Sequence, residues 1–187
     1  MKSKLLIEKH QIIMWGTGIL LLAVNVLPVW QISLVAPQYP EPVYLYIYTH
    51  GLEGAVSTLN ILNHYIGMKM LPEDMLEFRL FPIILILMSV AALFVGYLNK
   101  GYRIWWVVLL VGCIVAAWDF YAWEYYYGHH LDPKAPIKIP GQAYTPPMLG
   151  TKTILNFKAT ALPHWGSLFL FGALALAMWA DKLNTTK

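Results

Sequence analysis

The chain has 187 residues, 58% of them apolar and only 12% charged, where a water-soluble domain carries roughly a quarter charged residues; this composition suits lipid as solvent. A net charge of +3, thinly spread, excludes a nucleic-acid-binding surface. The single cysteine, Cys113, excludes an internal disulfide, a CxxC redox pair and c-type haem attachment.

In chain order, the first apolar run extends from about Ile12 to Val35 without a charge and predicts a transmembrane helix, with a kink near Asn25 and Pro28. Trp15 and Trp30 stand roughly 22 Å apart on a helix, a spacing suited to an interfacial girdle. The run exceeds a signal-peptide core, and Pro37 spoils the small-residue cleavage candidate at Ala36, so a retained helix is expected.

A first outer loop follows, from about Ala36 to Arg79. It opens on Pro37, Pro40 and Pro42, which impose an extended backbone. Val43-Tyr44-Leu45-Tyr46-Ile47-Tyr48 alternates with period two and predicts a short strand with a tyrosine face. Ser57 or Thr58 then caps a short helix ending at Gly67. Leu59, Leu62 and Ile66 share one face of it; Asn60 and His64 share another, with Met68 next in line. Pro72 opens a further helical turn carrying Met75.

The second span is expected at Leu80–Leu98, with Pro82 near its start, then a tight turn at Asn99-Lys100-Gly101-Tyr102 and a third span at Ile104–Trp123. The second outer loop, about Glu124 to Pro163, is rich in turn signals (Pro133, Pro136, Pro140-Gly141, Pro146-Pro147) and poor in helix signal. A fourth span, Trp165–Ala180, is the shortest and demands a thin bilayer. The expected fold is an all-α membrane protein: one domain over residues 1–187, four transmembrane helices, and two long outer loops forming a small mixed cap. Lys2, Lys4, Lys9, Lys100, Arg103, Lys182 and Lys187 crowd the short segments, whereas Lys69, Arg79, Lys134, Lys138, Lys152 and Lys158 are diluted over the long loops. The positive-inside rule then puts both termini in the cytoplasm and both loops outside.

His50, His64, His129, His130 and His164 fall on that outer side with Met68, Met70, Met75 and Met148; only His10 falls inside. Imidazole with thioether is the donor set that suits Cu(I). His64 and Met68 can share a helical edge, Met70 lies close by, and His129 or His130 can complete the set from the other loop. Adjacent histidines point apart, so one of the two suffices. The plainer alternative makes the methionines gap-fillers and His64 a hydrogen-bonded cap.

Asp119 interrupts an apolar run, and a carboxylate at membrane depth is functional by default. With Glu124 it offers a proton or quinol site; its structural alternative is a hydrogen-bonded pair with an aromatic residue on another span. No P-loop, dinucleotide glycine pattern, HExxH or Gly-x-Ser-x-Gly is present, and no mid-span histidine is available for haem. No enzymatic activity and no haem are expected.

Several stretches resemble a small integral membrane family. They are Leu27-Pro28-Val29-Trp30 with Ala36-Pro37-Gln38-Tyr39-Pro40-Glu41, Leu62-Asn63-His64-Tyr65-Ile66-Gly67-Met68-Lys69, Tyr127-Gly128-His129 with Leu131-Asp132-Pro133, and Pro140-Gly141, Tyr144 and Pro146-Pro147. The family is the NosB-like membrane proteins that accompany Sec-exported (clade II) nitrous oxide reductases. The likeness covers both outer loops and the third span, and departs at Pro42 and between Ala159 and Trp165. It implies a four-helix accessory protein of the bacterial plasma membrane, supporting maturation of, or copper or electron supply to, an exported copper oxidoreductase. His64 and Met68 are the matched ligand positions for copper. The competing readings are a quinol-interacting electron-transfer subunit and a non-catalytic scaffold among other membrane subunits.

Overall fold

A computed structural model describes residues 7–139, 141 and 143–186. Lys2, Lys4 and Lys187 of the charge asymmetry, and Pro140 of the turn signals, lie outside the described residues. The elements in order are α1 (Lys9–Ala23), a 3-10 turn (Val24–Val26), β1 (Trp30–Val35), β2 (Val43–Tyr48), β3 (Gly51–Gly54), α2 (Val56–Ile66), α3 (Leu76–Leu98), α4 (Tyr102–His129), β4 (Gly150–Ile154), β5 (Phe157–Pro163) and α5 (Trp165–Thr185).

The protein is therefore mixed α/β, and the all-α, four-span expectation is wrong. Among the described residues three helices, α3, α4 and α5, are long and apolar enough to cross a membrane. The first apolar run is not one continuous helix over Ile12–Val35. Its helix stops after 15 residues at Ala23, and Leu27, ahead of Pro28, is already extended (φ −115°, ψ 140°), as the proline ring requires of the residue before it. Beyond Pro28, Gln31 and Ser33 alternate with Trp30, Ile32 and Leu34, and this part of the run becomes β1.

β1 is the centre of a five-stranded antiparallel sheet in the order β3-β2-β1-β5-β4. It pairs with β2 from Trp30↔Ile47 to Leu34↔Val43 and with β5 from Trp30↔Pro163 to Val35↔Lys158. The tyrosine-bearing strand predicted over Val43–Tyr48 is β2. The second loop holds more structure than its prolines announce: β4 and β5 form a hairpin, closed at Ile154↔Phe157 with Leu155 at φ 50°. Pairing of β1 with β5 brings the head of α5 against the chain leaving α1. There the amides of His164 and Gly166 donate to the carbonyls of Val29 (3.0 Å) and Pro28 (2.8 Å), and Ser167 Oγ donates to Val29 O at 2.6 Å. Position 166 must be glycine, because a Cβ would stand 2.9 Å from the Leu27 and Pro28 carbonyls.

α1 packs between α3 and α5 through small residues that let backbones approach. A Cβ on Gly18 would lie 3.0 Å from Ser89 O, and the Gly96 Cα faces the Trp15 ring. Ala173, Ala177 and Ala180 on α5 are fully buried in the same core with Met14, Leu21, Tyr102 and Trp105. Outside the bundle, Leu87, Phe94, Ile104, Val108 and Ile114 are exposed. Small residues inside and large apolar ones outside suit a lipid surround.

Several local expectations change with the fold. The Trp15–Trp30 girdle does not form on one helix, since Trp30 lies on β1; Trp15, Trp105 and Trp106 donate into the bundle, to Leu93 O, Met88 O and Asp181 Oδ2, whereas Trp118, Trp165 and Trp179 are exposed. α3 begins at Leu76, before the predicted start, so Pro82 sits inside the helix, and Pro72 opens no helical turn. α5 has 21 residues, roughly 31 Å, and needs no thinned bilayer.

At the end opposite the sheet, His10 Nε2 donates to Asn99 Oδ1 at 2.6 Å, Gln11 Nε2 to Gly96 O at 2.8 Å, and Arg103 pairs with Asp181 at 3.3 Å. The start of α1, the α3–α4 turn and the end of α5 thus lie together, away from the sheet. α4 has 28 residues, roughly 42 Å, against about 30 Å of hydrocarbon. Its last turns rise beyond the bundle and join the sheet and α2.

Candidate functional site

The site is assembled around α2. Leu59 and Leu62 bury one face of it against Val43 and Leu45 of β2, as their spacing predicted. Its N-cap is Ala55, with no side-chain cap bond, rather than Ser57 or Thr58. It ends at Gly67, at φ 80° in the left-handed region, and the amide of Met68 donates back to Asn63 O at 2.8 Å. Gly67 is doubly constrained: a Cβ there would stand 2.9 Å from Asp132 and Ala135. Through this close approach the amides of Asp132 and Ile137 bond to the carbonyls of Gly67 (2.8 Å) and Tyr65 (2.9 Å). Asn60 Oδ1 accepts from the amide of Leu71 at 2.7 Å. Tyr127 Oη donates to Lys69 O and accepts from Asn63 Nδ2. The segment from Met68 to Leu71 is thereby fastened to α2 on one side and α4 on the other.

Two spaces flank that segment, with Met68 lining both. The first is an open cleft where His64, Met68, Met70 and His130 meet Glu73 and Asp132. Met68 is 8% exposed, Met70 72%, and the exposed His64 imidazole lies against the Tyr65 ring with no side-chain hydrogen bond among the described residues. The histidine pair ends α4 rather than lying in a loop. His130 Nδ1 donates to Tyr126 O (2.9 Å) and its ring stacks on Tyr126. His129 repeats this one residue earlier, on Tyr125. Successive positions on a helix diverge by roughly 100°, so His130 faces the cleft and His129 does not. His50 lies at the β2–β3 turn and His164 at the β5–α5 junction, and neither lines the cleft.

The donor chemistry of the cleft fits Cu(I). Donation from Nδ1 to a carbonyl fixes the tautomer that leaves the Nε2 lone pair of His130 free, the His64 imidazole has no hydrogen bond among the described residues, and two thioethers line the same cleft. Among the described residues no three His, Cys, Asp or Glu side chains cluster as a metal site, so a metal here needs the thioethers.

The second space is a cavity of about 110 Å³ between the sheet, α2 and the top of α4. Its walls include Ile32, Leu45, Leu62, Trp123 and Ala159, and it holds Glu124 and Tyr144. Glu124 is 2% exposed, yet among the described residues its Oε2 has no hydrogen-bond partner, and the buried Tyr144 hydroxyl has none either. Burial, and then the nearby Glu124 charge, pushes the Tyr144 phenol up to about 12.

Glu124 was visible in the sequence as a carboxylate beside Asp119, but the two do not converge. Five residues apart, they stand roughly 140° around the helix; Asp119 is exposed and makes no hydrogen bond or ion pair among the described residues. Asp119 therefore does not join Glu124 at one site, and its alternative aromatic partner is absent among the described residues. The residue that accompanies Glu124 is Tyr144, which local sequence signals left unmarked in a turn-rich stretch.

No family model, no curated protein and no solved structure matches the chain.

Proposed function

We propose that this is an accessory membrane protein that holds Cu(I) on its sheet-side cap for an exported copper oxidoreductase, the role implied by the resemblance to the nitrous oxide reductase clusters. In this reading it resides in the bacterial plasma membrane with the start of α1 and the end of α5 in the cytoplasm. The observation that carries the reading is the meeting of His64, Met68, Met70 and His130 along one cleft, from two distant parts of the chain. Soft, neutral donors select Cu(I) over divalent ions by ligand type. An open cleft with one buried and one exposed thioether favours release to a partner over permanent storage. Lys69, over the Tyr126 ring at 5.0 Å, holds the aromatic support of His130 in place.

The test is a Cu(I) competition titration of the full chain in mild detergent. The joint His64→Ala and Met68→Ala variant, which removes two of the four donors, should lose at least about tenfold in affinity, roughly 1.4 kcal/mol or more. His130→Ala should weaken binding and His129→Ala should not. Unchanged affinity in the joint variant, or equal effects at 129 and 130, removes this ligand set.

A further inference from the structure

The cavity beside Glu124 is a separate matter from copper and rests on different atoms. Buried carboxyl and hydroxyl groups without partners are costly, and a native fold retains them where something completes them. Here two such atoms, Glu124 Oε2 and Tyr144 Oη, belong to one cavity whose other walls are almost wholly apolar.

Water fits the volume, but the walls complete only one molecule of it. About 110 Å³ has room for roughly three waters at about 30 Å³ each, and each needs two to four polar partners. Asn63 Nδ2 and Tyr127 are already bonded to each other, and Tyr127 to Lys69 O, so among the described residues the buried orphans on these walls are Glu124 Oε2 and Tyr144 Oη, enough to complete one water and no more. A mostly apolar molecule with one hydroxyl group answers both features. Its O–H donates to Glu124 Oε2, and the same oxygen accepts from the Tyr144 hydroxyl. About 110 Å³ is less than the roughly 150 Å³ that accepts benzene, but the cavity is open on one side, so part of a six-membered ring lodges in it and the rest lies in its mouth. Trp123, stacked on Tyr127 with ring centres 4.8 Å apart, supplies an aromatic wall. The position favours an amphiphile: Glu124 lies 22 residues beyond Tyr102 on α4, roughly 33 Å along the helix axis, just past a hydrocarbon layer of about 30 Å.

The geometry points to a binding site for a monocyclic hydroquinone head, its hydroxyl held by Glu124 and Tyr144 in the cavity between the sheet, α2 and the top of α4.

The probes are 1,4-benzohydroquinone carrying a decyl chain, the same ring without the chain, and the decyl compound with both oxygens methylated. Each is titrated into the full chain in mild detergent, read by tryptophan fluorescence and by calorimetry. The decyl hydroquinone should bind saturably. The methylated compound, unable to donate, should bind at least tenfold more weakly. Glu124→Gln and Tyr144→Phe should each cost about tenfold. Ala159→Leu, which fills the cavity from β5 and touches neither polar group, should abolish binding while circular dichroism stays native. A strong preference for the decyl compound over the bare ring supports a membrane quinol as occupant; equal affinity supports a free phenol in the same site. Absence of saturable binding to the folded protein, or undiminished binding in Ala159→Leu and Glu124→Gln, overturns the proposal.

Discussion

The amide of Tyr144 donates to the carbonyl of Gly128 at 2.9 Å, and the Gly128 Cα lies so close to the Tyr144 carbonyl that a Cβ would fall on it. This one contact ties the proline-rich segment to the top of α4 and sets Tyr144 beside Glu124. Gly128→Ala should therefore destabilise the cap although alanine is the better helix former. Forced overpacking costs typically 1–3 kcal/mol, so thermal unfolding should shift down by several degrees. Protection of the Tyr144 amide in hydrogen exchange should fall while that of α3 is preserved.

The Tyr144 phenol also gives the cap an alkaline limit. Its value is raised from 10.0 to about 12, so the folded state holds the phenolic proton more tightly than the unfolded chain. The stability from this group is complete below pH 10 and declines as the pH climbs from 10 towards 12. Tyr144→Phe has no proton to lose, so its melting temperature should fall less steeply over that window. A melting series from pH 8 to 11.5 on both proteins checks this; parallel curves count against a buried phenol.

At the other end of the molecule Asn99 accepts from His10 Nε2 and from Tyr102 Oη at 3.2 Å while holding φ 54° at the end of α3. Two roles, a left-handed turn and a polar clasp, coincide in one residue. Asn99→Gly keeps the turn and removes the clasp; Asn99→Ala removes both. The glycine variant should lose roughly 1–2 kcal/mol for two part-buried hydrogen bonds, and the alanine variant about 1 kcal/mol more for the left-handed backbone. Equal losses would mean the turn carries no strain. The measurement is equilibrium unfolding in detergent.

How much of this could be read from the residues follows from where burial is one-sided. β2 announced itself because alternate tyrosines face away from the core, and α2 because Gly67 ends it. β1 did not, because a central strand with partners on both sides, continuous with a helix, reads as one apolar run; Gln31 and Ser33 were its only marks. The β4–β5 hairpin was hidden by the prolines that precede it. The cleft was legible because His64, Met68 and Met70 lie within seven residues. Glu124 with Tyr144 was not, since that pairing depends on how far α4 rises and on a glycine contact with no local signature.

Met68 stands between the two spaces, lining the cleft and the cavity alike, and its substitution separates the two readings. Leucine is close in volume, and such swaps usually cost less than about 1.5 kcal/mol, but it has no thioether. Met68→Leu should therefore fold normally, keep hydroquinone affinity within about twofold, and lose Cu(I) affinity by tenfold or more. Ala159→Leu should do the reverse, because Ala159 lines the cavity but not the cleft. Parallel loss of both ligands in either variant would mean that the two spaces act as one site; loss of neither in Met68→Leu would leave the thioether a packing group with no part in metal binding.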